Sequence, residues 1–315
     1  MSRGLGDVYK RQVLTVCDVR SVGPDTWNNW KATLIRQLYS ETRLILEQGG
    51  EALNSENRMV EAKKLLREKL FDWDPKDIKL EIGRHYPPYW QGFQIDTQFA
   101  FANLLKNLGS NEIKIDLTPD SDRDATRICF ALSDHPGIFS RLSGALALVG
   151  ANVVDARSYT SKDGFATAAF WIQDVDGAPY NQTKFSRLRG MIEKTLSGEI
   201  ITRDAMKERD KFKKRERVFK VPTSITFDND GSEIYTIIEV DTRDRPGLLF
   251  DLTRTLANMN VYIASAVIAT YGEQVVDSFY VKDMFGLKFY SDSKQKKLEQ
   301  NLRHAITLGV ERAQS

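Results

Sequence analysis

Two segments of this chain repeat one another in register, and each opens with an Asp-x-Pro-Gly turn. The first is Asp134-His135-Pro136-Gly137 followed by IFSRLSGALALVGANVVDARSYT. The second is Asp244-Arg245-Pro246-Gly247 followed by LLFDLTRTLANMNVYIASAVIAT. The offset of 110 residues holds without a gap through Thr160 and Thr270. Within it Leu142 matches Leu252, Leu146 matches Leu256, Ala147 matches Ala257 and Ala156 matches Ala266. A repeat of this length calls for one small domain built twice.

Periodicity fills in the domain. Ile128, Phe130 and Leu132 alternate as in a half-buried strand over Thr126–Leu132. Gly137–Val149 reads as a helix with Ile138, Leu142, Leu146 and Val149 inward. Asn152–Ser161 and Phe165–Gln173 read as strands joined by an Asp-Gly hairpin at Asp163-Gly164, and Phe185, Leu188, Ile192 and Leu196 mark a second helix. The second copy repeats this β-α-β-β-α order: Ile234–Val240, Gly247–Met259, Val261–Thr270, Gln274–Val281, then a helix through Leu298, Leu302 and Ile306. A further strand at Phe219–Asp228, with Pro222 confining it to an edge, is a fourth strand for the first copy or serves the second, which is otherwise a strand short.

The N-terminal third reads as all helix. Val13–Glu47 is broken at Gly23-Pro24, and Asn54–Leu70 carries Met59, Ala62, Leu66 and Leu70 on one stripe. His85–Trp90 reads as an irregular aromatic connector, and Gln91–Leu108 as helix again. Trp27, Trp30, Trp73, Tyr89 and Trp90 fit core and interface packing better than an aromatic cage. The opening MSRGLGDVYKRQ resembles translated adapter sequence and is set aside as a non-native leader, with the native protein expected to extend upstream. The division expected is leader 1–12, terminal helices of a larger domain 13–50, helical connector 51–115, first repeat with its basic extension 116–230 and second repeat 231–315.

Bulk properties narrow the function. The 315 residues are 41% hydrophobic and 28% charged with net charge +2, a soluble composition that argues against nonspecific nucleic-acid binding. Arg203–Lys220 carries nine Lys or Arg and four Asp or Glu; its mixed signs fit a solvated helix better than a nucleic-acid site. No apolar run is long enough to span a bilayer. Cys17 and Cys129 are too few for a disulfide scaffold and fit small core residues, which makes a reducing, cytoplasmic setting the default.

The paired turns carry the chemistry. Proline suits the first turn of a helix, glycine lets backbone approach a ligand, and the free N–H groups at a helix start favour a carboxylate. The aspartate caps the helix or accepts from an ammonium group. Together these suit a zwitterion such as an amino acid. A lone turn of this kind is more simply a helix cap, but two in register favour the ligand.

At this level each repeat resembles an ACT domain, the small ferredoxin-like βαββαβ module that commonly senses amino acids. The pair, with VPTSITFDND, YTIIEVDTRDRPGLLFDLTRTLANMNVYIASAVIATYGEQVVDSFYVKDMFGLK, LTVCDVRSVGPDTWNNWKATLIRQLY and YPPYWQGF, resembles the C-terminal part of the PII uridylyltransferase/uridylyl-removing enzyme family. The resemblance implies an α+β fold, helices of an HD-type domain followed by two ACT domains. In such a parent a nucleotidyltransferase domain transfers UMP from UTP to a PII signalling protein, an HD domain removes it with a divalent metal (Mg or Mn), and the ACT pair senses glutamine. This chain has no His-Asp pair for the hydrolase metal, and both catalytic centres are expected to be incomplete and the chain inactive alone, with no cofactor of its own. Asp18 matches the last metal-ligand aspartate of the HD pattern.

The resemblance and the turns together make Asp134, His135, Pro136, Gly137, Asp244, Arg245, Pro246 and Gly247 the ligand-binding candidates. Asn152 and Asn260, near the helix-to-strand turns, are weaker ones. His135 stands where the second copy has Arg245, so the sites need not be equivalent: shared, both live, or one live and one vestigial. The amino acid cannot be read from the turns, and glutamine rests on the resemblance alone. ACT edges often pair, which leaves self-association and the oligomeric state open; no nucleic-acid or membrane partner is expected. The competing readings are a stand-alone tandem-ACT regulator without enzymatic activity and a scaffold that has lost its ligand.

Overall fold

The computed structural model describes Leu14, Tyr39, Thr42 and residues 55–135, 137–174, 176–199, 222–245, 247–271 and 274–314. The expectations for the helices of 13–50, Asp18, Cys17, Trp27, Trp30 and the basic stretch 203–220 fall outside the described residues, as do Pro136 and Pro246.

Within residues 55–105 the chain forms four helices, α1 (Ser55–Lys69), α2 (Pro75–Arg84), α3 (Pro87–Gly92) and α4 (Ile95–Leu105). Asp74 caps α2, its carboxylate accepting from the Lys76 N–H at 2.8 Å with proline in the first turn. The aromatic connector of the sequence is the short α3, with Tyr89 and Trp90 buried. The first repeat follows as β1 (Lys114–Asp120), β2 (Ala125–Ser133), α5 (Ile138–Leu148), β3 (Asn152–Thr160), β4 (Phe165–Gln173) and α6 (Phe185–Leu196). The second is β5 (Ser224–Asp228), β6 (Thr236–Arg243), α7 (Leu248–Asn258), β7 (Tyr262–Tyr271), β8 (Gln274–Lys282) and α8 (Asp292–Gln314).

The eight strands of the described residues form one antiparallel sheet in the order β1-β2-β4-β3-β7-β8-β6-β5. The α+β expectation holds, and the β-α-β-β-α core of each repeat lies where the periodicity places it. The edge strand differs. In the βαββαβ order it comes last; here each repeat takes it from its N-terminal side, giving ββαββα. β5 pairs with β6 and serves the second repeat, so a first unit running to residue 230 takes in a strand of its neighbour. β1, which pairs with β2, has no counterpart among the strands expected from the sequence. Lys-Ile-Asp-Leu-Thr-Pro-Asp offers only two alternating apolar residues, and Pro119 is tolerated because the strand is an edge.

The repeats meet where β3 pairs with β7, and Ala156 lies opposite Ala266. These two residues are equivalent in the repeat, so a local twofold axis passes between them. Above one face, α5 and α7 pack across the seam through Leu148 and Phe250. One core runs beneath both halves, from Phe130, Leu142, Leu146 and Phe170 to Val240, Leu252, Leu256 and Phe279. Complete burial of each such side chain is worth about 1.5–3 kcal/mol.

The opposite face is asymmetric. Over the first half, Leu66, Tyr89, Trp90, Phe93 and Phe101 of the helical layer pack on Ala125, Cys129, Ala169 and Trp171. β2 is therefore buried at every residue but its last. In the second half β6 and β8 alternate between buried and more accessible residues, the pattern of a sheet with one face open to water.

Candidate ligand site

Each turn leaves its strand, reverses at a glycine and starts a helix. Gly137 has φ 84° and Gly247 φ 75°, both left-handed, and both stand at the cap position of their helices. A side chain at either would carry the strain of that region, which explains the glycine in each copy. Neither α5 nor α7 has a side-chain cap. Asp134 therefore does not fill the capping role that the sequence offered it.

In the first turn the Asp134 carboxylate instead accepts a hydrogen bond from the Thr160 hydroxyl at 2.5 Å. The Thr160 hydroxyl lies 3.0 Å from the Tyr262 hydroxyl. Tyr262 opens β7 of the other repeat, so the first turn sits at the seam. The register explains the meeting. Continuing the β3–β7 pairing outward from Ala156 and Ala266 brings Thr160 to Tyr262. A Cβ at Gly137 would lie 3.8 Å from that of Ala257 in α7. The first turn is thus walled by both repeats.

The second positions of the turns differ. His135 Nε2 lies 3.1 Å from Arg141 Nη1, and Arg141 also donates to the Leu196 carbonyl at the end of α6. Arg245 is only 5% exposed and pairs with Asp251 at 2.5 Å. A Cβ at Gly309 of α8 would fall 1.8 Å from its guanidinium. The Arg245 charge is therefore taken up inside the fold, a departure from its expected place facing a ligand. Asn152 is exposed at the start of β3. Asn260, also exposed, has φ 56° in the turn between α7 and β7. The structure brings Asp134, Gly137, Thr160 and Tyr262 together at the seam.

Family models match both repeats: an ACT domain over residues 128–184 and an ACR9-like, ACT-like domain over residues 224–311. Over 96% of its length the chain is 67% identical to a bifunctional uridylyltransferase/uridylyl-removing enzyme of Ruegeria pomeroyi, covering 34% of that protein. It is equally similar to one of Cereibacter sphaeroides, covering 32% of it, and 42% identical over 93% of its length to one of Azospirillum brasilense. The chain belongs to the ACT-containing part of the bifunctional uridylyltransferase/uridylyl-removing enzyme family. It spans about a third of the length of the curated relatives it matches.

Three features of the ACT pair were missed by sequence reasoning. Thr160 was visible only as the last matched residue of the repeat, and Tyr262 only as the counterpart of Asn152 at the offset of 110. Asp277 gave no signal. It stands in β8 opposite Val240 and Ile268, the place taken by Ala168 in the first repeat, opposite Phe130. It is 1% exposed, its Oδ1 has no hydrogen-bond partner, and burial, with Asp244 nearby, pushes its carboxyl well above the usual range.

Cys129 is fully buried and burial pushes its thiol up to about 12, so it is a core residue and no nucleophile. Tyr89 and Trp90 are likewise core. Among the described residues no group of three or more His, Cys, Asp or Glu side chains could hold a metal ion, and no helix is long and apolar enough to cross a membrane.

Proposed function

We propose that this chain is the effector-sensing region of a PII uridylyltransferase/uridylyl-removing enzyme, and that its ACT pair binds glutamine. The observation that carries the reading is the first turn: a carboxylate held by Thr160 beside an uncapped helix start, at a seam where the second repeat contributes Tyr262. The N–H groups of α5 suit the α-carboxylate of an amino acid, and Asp134 suits its ammonium group. The seam supplies the remaining wall, against which a side chain is selected.

The first turn is the stronger of the two sites, since Arg245 of the second is committed to Asp251. In the whole enzyme, UMP is transferred to a PII protein and removed again at sites upstream, in the cytoplasm. Residues 13–50 are the tail of the HD domain, and Asp18 is one of several ligands to its divalent metal. Glutamine acts by favouring one of two states of those sites, a coupling that works equally in both directions.

The test is calorimetric titration of the 315-residue chain with L-glutamine, with L-glutamate and L-serine as controls. Selective binding of glutamine, weakened by Asp134→Ala, is the expected result. No heat with any of the three would overturn the sensing role and favour an ACT pair that serves as scaffold.

A further inference from the structure

The two turns differ in what stands behind them. The hairpin joining β3 to β4 runs from Ser161 to Gly164, and its base is fixed to the first turn, with the Asp134 N–H donating to the Gly164 carbonyl at 2.9 Å. Its tip is fixed to α2. The Lys162 N–H donates to the Arg84 carbonyl at 2.8 Å, and the Lys162 ammonium donates to the Gly83 carbonyl at 2.7 Å. The Asp163 carboxylate lies 3.1 Å from Arg84 Nη2. Carbonyls in the last turn of a helix have no partner within it, so the hairpin caps α2.

The contacts continue inward. Arg84 pairs with Glu81 at 3.2 Å, Glu81 holds the His85 imidazole at 3.1 Å, and the His85 ring stacks on Tyr89 at 3.6 Å between centroids. A second attachment lies nearby. Arg157 of β3 donates to the Gly92 carbonyl, and a Cβ at Gly92 would meet the Tyr159 hydroxyl at 1.9 Å. An unbroken series of contacts thus joins Asp134 to the core of the helical layer.

Among the described residues the second repeat shows no such arrangement. Its hairpin is one residue shorter, since Thr270 faces Val275 where Thr160 faces Ala166. The outer face of its β6 and β8 is partly open to water, with no described helix packed over it.

We propose that the Ser161–Gly164 hairpin is the output arm of the first turn: a ligand at Asp134–Gly137 alters the grip of the hairpin on α2, a line to the helical layer that the described residues show for the first turn alone. This rests on the reading that the first turn binds the effector. An ammonium group engaging Asp134 competes with the Thr160 hydroxyl for the same carboxylate at the base of the hairpin. The ligand therefore has different interactions with the gripped and released forms, which any shift between them requires.

Hydrogen exchange of the full chain tests the proposal, read at the amides of Ile78–Arg84. Without ligand, Asp134→Ala is expected to speed exchange there several-fold, and Asp244→Ala to leave it unchanged. Equal effects from both, or none from Asp134→Ala, would overturn the proposal. With saturating L-glutamine, exchange over these amides is expected to change in the wild type and to stay constant in the Lys162→Ala/Asp163→Ala double variant, likewise titrated to saturation. A change that persists in the double variant, or glutamine binding with no change in the wild type, would also overturn it. Absence of glutamine binding in the wild type defeats the sensing reading instead, and the ligand-free comparison of Asp134→Ala with Asp244→Ala still decides the wiring.

Discussion

Arg245 and Asp251 form a buried ion pair, 2.5 Å apart, at the positions where the first repeat has His135 and Arg141. The basic partner has moved from the turn to the helix. In the second repeat the arginine leaves the turn and lies under α8 at Gly309; in the first it leaves the helix and ties down the end of α6. Both solutions anchor the turn to the last helix of its repeat.

Breaking the buried pair leaves one charge without compensation. Arg245→Met or Asp251→Ala is expected to cost about 3–5 kcal/mol, measured by urea unfolding of the full chain. Replacing both residues by apolar ones of similar volume should recover most of the loss. A single-variant cost below about 1 kcal/mol would place the pair in the class of surface ion pairs.

The left-handed glycines give a second expectation. Gly137→Ala and Gly247→Ala should each destabilise by about 1–2 kcal/mol through backbone strain. Glutamine affinity should fall more for Gly137→Ala than for Gly247→Ala, by calorimetry, since the first turn is the one that meets Tyr262.

Asp277 makes stability depend on pH with a definite sign. Its carboxyl is raised in the fold, so it is protonated there over a range in which the unfolded chain is ionised. Its contribution is most favourable below the unfolded value near 4 and is lost as pH rises through the folded value. Asp277→Ala, the residue of the first repeat, is expected to stabilise the protein at pH 7 by about 1–3 kcal/mol. That gain should shrink as pH is lowered toward 4. Thermal unfolding of both proteins across this range checks it, and an unchanged gain would show that Asp277 does not titrate with folding.

His85 has the opposite sign. Burial holds its imidazole below the usual range, and the Glu81 carboxylate opposes this only in part. The stability it contributes is present above the unfolded value near 6.5 and is lost as pH falls from there through the folded value. Acidification below about 6.5 should therefore loosen α2 and α3 before the sheet, seen as faster exchange at Ile78–Arg84. His85→Phe should remove that dependence while keeping the stack on Tyr89.

The fold was legible where each residue answers to one environment. Leu142, Leu146, Leu252 and Leu256 repeat with the helical period because they line one core, and the glycines of both turns mark a backbone that only glycine adopts easily. β1 was not legible: an edge strand needs little apolar surface, and its pairing with β2 is encoded in backbone hydrogen bonds. At the site, Asp134 and Gly137 stand out locally. Tyr262 reaches them only through the register of β3 on β7, a relation 102 residues apart in sequence. The burial of Arg245 was hidden for the same reason, since Gly309 comes over it from the far end of the chain.

The seam at Ala156 and Ala266 gives the sheet the form of a dimer whose two subunits share one polypeptide. Where identical subunits must associate to complete a cleft, the fraction of complete clefts falls as the protein is diluted. Here the tether supplies the partner at fixed effective concentration. For the ligand proposed above, occupancy of the seam would then follow the concentration of the small molecule alone, whatever the abundance of the protein that reads it. The tether also released the halves from sharing one sequence, so Tyr262 and Asn152 could diverge across a symmetry axis the backbone still obeys.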